Sequence, residues 1–108
     1  MTTAIEISPS EGRTELATIL RTAGASGLVE LIEPALVQLA TVEGGLTPVL
    51  ASLNLDLTGR AEVGAGVTLK IWVERATRTL VFSAAEVRLT ADGNLVAAGQ
   101  AVLKLVTN

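Results

Sequence analysis

The chain has 108 residues, a formal charge of −3 and an apolar content of 49%, which fits one domain with apolar surface left over for a second copy. Nucleic acid is not expected as a partner, because the chain is acidic, lacks a Lys/Arg cluster and has only one Trp and one Phe. No apolar run reaches the roughly 20 residues that cross a membrane. The absence of histidine and cysteine excludes a His–Cys metal site, a thiolate nucleophile and a Ser-His-Asp triad, so acid–base chemistry must fall mainly to the eleven acidic side chains.

The N-terminal quarter of the sequence predicts two short elements. Residues 3–7 alternate and stop at Ser8-Pro9, which predicts a short strand. Apolar residues at helical spacing then predict a helix over about 11–23, with Gly24 at the position of a helix C′ glycine. The first residues lack the basic and apolar regions of a secretion signal, and this feature, with the absence of cysteine, indicates a cytoplasmic protein.

A second helical pattern predicts a longer, central helix over about 27–42. Its apolar residues recur at i, i+3, i+4 and i+7, which places one stripe in the core: Leu28, Leu31, Ile32, Ala35, Leu36 and Leu39. Ser26 is a plausible N-cap, and Gly44-Gly45 ends the element. Pro34 lies inside the pattern, which predicts a kink or a helix that begins close to it.

The remainder of the sequence predicts four strands, over about 47–57, 66–75, 79–90 and 95–106. The first two alternate with period two, and in the first strand the alternate positions from Val49 to Leu57 are the apolar ones. Asp92-Gly93 is a strong hairpin signal. Because tight turns join these strands, they must be antiparallel, and small residues at 97–99 allow the sheet to bend. The predicted class is α+β, a curved antiparallel sheet around a central helix.

Five segments resemble one known family in their order and spacing: residues 53–61, 66–69, 75–82, 86–87 and 92–97. They are similar to the corresponding strands and hairpin of hotdog-fold acyl-CoA thioesterases of the phenylacetate-pathway type, and the resemblance covers about half of the chain. It implies a single hotdog-like domain over 1–108, with about five strands wrapped around the central helix. It also implies hydrolysis of an acyl-CoA thioester by a helix carboxylate, with backbone N–H groups at the helix start polarising the carbonyl. The family's His-Gly-Gly motif corresponds here to Ala25-Ser26-Gly27, a degraded version in which only the second glycine is kept.

Glu33 is the candidate catalytic residue, because it lies beside the position of the family's helix aspartate. It falls off the core stripe among apolar neighbours such as Val29 and Val37. A second copy packed on that side would desolvate the carboxylate and favour its use as a general base. The alternative is a solvated helix glutamate near a kink.

The candidate substrate-binding residues are Ser26, Gly27, Asn54, Arg60 and Arg75. Backbone N–H groups at Ser26 and Gly27 suit an oxyanion or anion site, although most such segments are only helix caps. In the family the strand that contains Asn54 contributes to the acyl pocket, whereas the alternative is the wet side of a sheet. Arg60 and Arg75 offer the forked donors that bind phosphates, or they only solubilise turns.

Trp72 alternates with the apolar side of its strand, so we expect it to point away from the core and to cover an interface or line a pocket. The resulting hypothesis is an acyl-CoA thioesterase-like homodimer or homotetramer that needs no metal and no cofactor. Its small-molecule partner is acyl-CoA or a related thioester, with pantetheine along the dimer interface. The alternative is a non-catalytic acyl/CoA-binding or structural hotdog dimer.

Overall fold

The structure is a computed structural model that describes residues 14–40 and 46–107. In chain order its elements are β1 (Thr14–Ile19), α1 (Gly24–Leu39), β2 (Leu46–Leu57), β3 (Gly66–Ala76), β4 (Leu80–Leu89) and β5 (Leu95–Thr107). The five strands form one antiparallel sheet in the order β1-β3-β4-β5-β2. The predicted α+β class, with a sheet of about five strands and one central helix, is confirmed.

The core lies between α1 and the inner face of the sheet. The buried residues of α1 are Gly27, Leu28, Ile32, Ala35 and Leu36, which fall on one side of a helix with 3.6 residues per turn. The inner face of β3 presents Val67, Leu69, Ile71 and Val73, each at most 2% exposed. Helical spacing on one side and period-two spacing on the other therefore produce two apolar surfaces that bury each other.

The predicted helix over 11–23 is wrong over the residues that the structure describes, because residues 14–19 form strand β1. Three of its six residues (Thr14, Thr18 and Ile19) are β-branched and favour an extended chain. β1 pairs with β3 from Thr14↔Ile71 to Ile19↔Gly66, and this pairing satisfies backbone N–H and C=O groups along one side of β3. These hydrogen bonds stabilise the strand more than a short isolated helix would be stabilised by its own. The predicted strand over 3–7 lies outside the described residues.

The central helix starts earlier than predicted and continues through its proline. It begins at Gly24 rather than 27, and Pro34 lies inside it, so the expectation of a helix that begins close to Pro34 is wrong. The N-cap is Ala23, without a side-chain capping hydrogen bond; Ser26 is therefore not the cap. Gly24 has a φ of 77° and turns the chain into the helix instead of ending an earlier one. Residues 41–42 and Gly44-Gly45 lie outside the described part of the chain.

The four later strands lie within one residue of their predicted bounds at each end, but the apolar side of β2 changes partway along the strand. Opposite β5, the register shifts between Leu50 and Ser52, so that one extra residue occupies the strand. Leu50 faces the buried Leu103 and Leu53 faces the buried Ala101. The predicted alternation is therefore wrong before the bulge, where Val49 is 47% exposed.

Ser83 is a polar side chain in this apolar core. It pairs with Val73 and Ala101 on the inner face, is 2% exposed, and its hydroxyl has no hydrogen-bond partner among the described residues. An unsatisfied buried hydroxyl carries a desolvation cost that a methyl group does not.

We expect Ser83→Ala to raise the free energy of unfolding by about 1 kcal/mol, or roughly 5 °C in Tm for a domain of this size, as measured by thermal and urea denaturation. Ser52→Ala, at an exposed site in β2, is the matched control and should change stability by less than about 0.5 kcal/mol. A loss of stability in Ser83→Ala would show that the hydroxyl is satisfied.

Candidate functional site

A cavity of about 470 Å³ opens where the N-terminus of α1 meets the loop between β2 and β3. Its lining residues are Leu20, Ala23, Gly24, Leu28, Leu57, Gly59, Arg60, Ala61, Glu62, Val63 and Val96. Leu20, Leu28 and Val96 are each at most 4% exposed, whereas Leu57 and Val63 are 54% and 59% exposed. The cavity therefore has an aliphatic base and a partly open apolar mouth, the composition expected of a site for an apolar ligand group.

The β2–β3 loop (residues 58–65) is fixed at both ends by backbone hydrogen bonds. At one end the N–H groups of Thr58 and Gly59 donate to the carbonyl of Val96 at 2.9 and 3.1 Å. At the other end Gly64 N–H donates to the carbonyl of Leu20 at 2.8 Å, and Leu20 N–H donates to the carbonyl of Ala65 at 3.0 Å. These bonds hold residues 60–63 across the start of α1.

The start of α1 is electrostatically suited to a negative group. Its first turn contains no acidic residue, and no side chain within residues 14–40 and 46–107 caps it, so the N–H groups of that turn have no side-chain acceptor in this part of the chain. The 16-residue helix directs the positive end of its dipole to this point. Since Ala23 and Gly24 line the cavity, the cavity combines an apolar chamber with backbone donors for an anion or a polarised carbonyl oxygen.

Of the predicted substrate-binding residues, Arg60 lines this cavity, while Ser26 and Gly27 lie in the adjoining first turns of α1. Ser26 is exposed and Gly27 is buried. A Cβ on Gly27 would collide with the carbonyl oxygen of Thr22 and approach Leu20 Cδ1 at 3.3 Å. The glycine allows the helix to pack closely against the chain that precedes it.

Glu33, the predicted catalytic residue, is exposed and does not line this cavity. It lies nine residues beyond Gly24, about 13 Å along the helix axis. Glu30, also exposed, accepts a hydrogen bond from Thr22 Oγ1 at 3.3 Å. Among the described residues, the acidic side chain that lines the cavity is Glu62. Sequence reasoning missed it because a carboxylate in an irregular loop carries no periodic signal.

Asn54 and Arg75 lie away from the cavity. Asn54 and Trp72 line a shallow groove of about 370 Å³ on the face of the sheet opposite α1, where Trp72 alternates with the buried Ile71 and Val73, as predicted. The Arg75 guanidinium carbon lies 4.4 Å from the centroid of the Phe82 ring, a cation–π contact. The structure thus divides the five predicted binding residues between opposite sides of the sheet.

Within residues 14–40 and 46–107, no group of three or more acidic, histidine or cysteine side chains is placed to hold a metal ion. In the same ranges, no helix has the length and apolar character needed to cross a membrane.

One helix enclosed by a five-stranded antiparallel sheet of this strand order is the hotdog fold, and the resemblance inferred from sequence is confirmed at that level. The chain is similar to a hot-dog-like protein from Thermanaerovibrio acidaminovorans, with a TM-score of 0.81 and 14% identity over 95% of this chain and 87% of that chain. It is also similar to a hypothetical thioesterase with coenzyme A from Streptococcus pneumoniae TIGR4, with a TM-score of 0.76 and 14% identity over 91% and 84% of the two chains.

A third similar structure is the PaaI protein from the phenylacetic acid degradation operon of E. coli, with a TM-score of 0.75 and 15% identity over 91% of this chain and 75% of that chain. No protein-family model matches the sequence, and no curated protein matches it. At these identities the similarity establishes the fold.

Gly27→Ala should lower the free energy of unfolding by about 3 kcal/mol, because the added methyl group overlaps a backbone carbonyl that cannot move without shifting the start of α1. Urea denaturation measures this loss. Ser26→Ala, one residue earlier and exposed, is the control and should stay within about 0.5 kcal/mol of the parent. Equal stability of the two variants would contradict the close approach.

Proposed function

We propose that this chain is an acyl-CoA thioesterase-like protein that holds a thioester at the start of α1. The observation that carries the proposal is the meeting of an aliphatic cavity of about 470 Å³ with an uncapped helix N-terminus. The acyl chain occupies the cavity, and the carbonyl oxygen accepts hydrogen bonds from backbone N–H groups in the first turn of α1, including that of Ser26. Gly27 lies four residues past the N-cap Ala23, so its N–H belongs to the helix's own hydrogen bonds, and its part in the site is to allow the close packing of the helix start.

The reaction is hydrolysis of the thioester. A base removes a proton from water, the water oxygen bonds to the carbonyl carbon, and the oxyanion of the tetrahedral intermediate is held by the helix donors. The C–S bond then breaks, and the leaving thiolate takes up the proton from the base. Preorganised donors of this kind contribute about 10²–10³ in rate, and a positioned base contributes about 10²–10⁴.

Glu33 is the proposed base, and it acts from a second copy of the chain. The distance of about 13 Å along α1 separates Glu33 from the start of its own helix, so Glu33 can act on a thioester held there only from a second copy. β2 is a 12-residue strand at the edge of the sheet, and an open edge is a template for pairing with another chain. A homodimer, or a homotetramer built from it, supplies the second Glu33.

Solved structures support CoA as the thiol. Besides the Streptococcus pneumoniae protein with coenzyme A, a similar protein from Streptococcus mutans is bound to acetyl-CoA, with a TM-score of 0.75 and 12% identity over 90% of this chain and 83% of that chain. Arg60, at the cavity, is the proposed phosphate ligand. Asn54 and Arg75 lie on the opposite sheet face, so they contact the same ligand only if a neighbouring copy brings this face to the cavity.

The exposure of Glu33 in the isolated chain favours a second candidate function, a non-catalytic acyl-CoA-binding or structural hotdog dimer. Binding needs the cavity, the helix N-terminus and Arg60 but no base. Turnover of acyl-CoA distinguishes the enzyme from the binder, and binding distinguishes the binder from the scaffold.

Glu33→Gln should lower kcat for acyl-CoA hydrolysis by about 100-fold or more, because the amide keeps the shape of the side chain but cannot accept a proton. Release of free thiol from a panel of acyl-CoAs measures the rate. Glu74→Gln, on the opposite sheet face, is the matched control and should retain the parental rate.

Glu62→Gln tests the rival base, since this carboxylate lines the cavity of its own chain. A large loss in Glu62→Gln with none in Glu33→Gln would transfer the role of base to Glu62. A wild type that binds acyl-CoA without turning it over would leave only the binding function.

Acyl-CoA should also stabilise the native chain. A ligand that binds only the folded state at 100 times its Kd adds about 2.7 kcal/mol to the free energy of unfolding, which a thermal-shift measurement detects. Acyl-CoA should raise Tm more than CoA, because only the thioester fills the aliphatic cavity. Unchanged Tm with both ligands would exclude the enzyme and the binder and leave the structural dimer.

A further inference from the structure

The sheet face opposite α1 carries charges of opposite sign in two zones. Three carboxylates line the groove of about 370 Å³ on this face, and none of the described basic side chains lines it. These carboxylates belong to three different strands: Asp56, Glu74 and Glu86. Nearer the β3–β4 turn, the exposed charges are mainly basic: Arg75, Arg78 and Lys104. The face is therefore acidic in one zone and basic in the next.

The strand register arranges the two zones as parallel rows across β4, β5 and β2. The acidic row consists of three residues paired in register: Glu86, Ala98 and Asp56. The basic row, nearer the turn, consists of three residues paired in the same way: Leu80, Lys104 and Val49. Ala98 and Lys104 lie six residues apart on β5, which is about 20 Å along the strand. The two rows therefore cross the same strands at a fixed separation.

Two central rows lie between them and contain both aromatic residues of the chain. The central row next to the acidic row runs across four strands: Trp72, Ala84, Gln100 and Asn54. The central row next to the basic row crosses the same strands: Arg75, Phe82, Val102 and Ser52. Trp72, Phe82 and Val102 are only half-buried in the single chain. Large apolar side chains surrounded by charges are typical of a protein interface.

Several of the surrounding charges have no ion-pair partner among the described residues. Asp56, Arg78 and Lys104 take part in none of the ion pairs within residues 14–40 and 46–107. Glu86 lies 3.6 Å from Arg88 on its own strand. Charges that are unpaired within their own chain can pair across an interface, provided that the opposite sign faces them there.

We propose that this face packs on the same face of a second copy, sheet against sheet, with the strands running in opposite directions. A two-fold axis between the sheets, perpendicular to the strands and midway between the two central rows, produces this arrangement. It places the acidic row of each copy over the basic row of the other, because both rows are equally distant from the axis. Lys104 of one copy then lies over Ala98 of the other, between Asp56 and Glu86 on the neighbouring strands.

The same axis places each central row over the other one. Phe82 of one copy lies over Ala84 of the other, so a large side chain meets a small one, which is how the inner faces of two packed sheets interdigitate. Arg75 lies over Trp72, where a guanidinium can form a cation–π contact. Charge and shape therefore fit in a single alignment.

This arrangement gives Asn54 and Arg75 a role at an interface between copies instead of in substrate binding. It does not depend on the proposed function, since the cavity lies at the start of α1, on the other side of the sheet. It also leaves the edge of β2 open, so that the face contact can join two edge-paired dimers into a tetramer.

Lys104→Glu tests the contact, because it places a carboxylate over Asp56 and Glu86 of the other copy. Like charges that face each other oppose association, so the Kd for this contact should rise at least about 100-fold. At concentrations where wild type is fully assembled, sedimentation equilibrium should show half its mass. The difference between the Kd values should shrink at high salt.

Arg21→Glu is the matched control, since it makes the same change in net charge at an exposed position outside the sheet. It should keep the wild-type mass. Asp56→Lys combined with Lys104→Glu restores opposite charges across the axis and should recover at least about tenfold of the lost affinity. Lys104→Gln removes the charge without reversing it and provides the test, with about a tenfold rise in Kd, if circular dichroism shows that Lys104→Glu does not fold.

Trp72 provides a second measurement. Its emission in wild type should move to shorter wavelength with rising protein concentration, as association buries the indole, and Lys104→Glu should lack this shift. A wild type with the mass of Lys104→Glu and with constant Trp72 emission would overturn the inference and leave this face to a different protein. Equal losses in Lys104→Glu and Arg21→Glu would also overturn it, as would a double variant that recovers nothing. Acyl-CoA hydrolysis and binding test the proposed function separately.

Discussion

The close approach of α1 to the chain that precedes it is the constraint on which the site depends. Gly27 packs against the carbonyl of Thr22 and near Leu20, while Leu20 exchanges backbone hydrogen bonds with Ala65 and Gly64 of the β2–β3 loop. The helix start, the end of β1 and the loop are thereby joined at one place. A larger side chain at Gly27 would separate these parts, and the cavity between them would change shape.

Much of the fold could be predicted from sequence, because alternation and turn signals are local properties. The four later strands and the apolar stripe of α1 could be predicted because burying one side of an element requires apolar residues at a fixed spacing, every second residue in a strand and every three or four in a helix. β1 could not be predicted in this way, since the residues from Leu16 to Ala23 also fit a helical spacing. Its conformation is decided by β3, whose paired residues lie 47 to 57 residues later in the chain.

The site was less predictable for a related reason. Sequence reasoning placed Arg60 in a binding role, but it assigned the same role to Asn54 and Arg75, which lie on the opposite face of the sheet. Whether an alternating polar residue faces water, a groove or a cavity depends on how neighbouring strands bend and pair. Glu62 lies in an irregular loop, where only the hydrogen bonds at the loop's ends define its position.

The position of Trp72 determines what spectroscopy can observe. It is the single tryptophan of the chain, half-buried on the sheet face opposite α1, and no other tryptophan emits from the core. Its fluorescence therefore reports on the polarity of that outer surface and on any macromolecule that covers it. The cavity of the same chain lies at the start of α1, away from the indole, so the emission does not report directly on whether that chamber is filled.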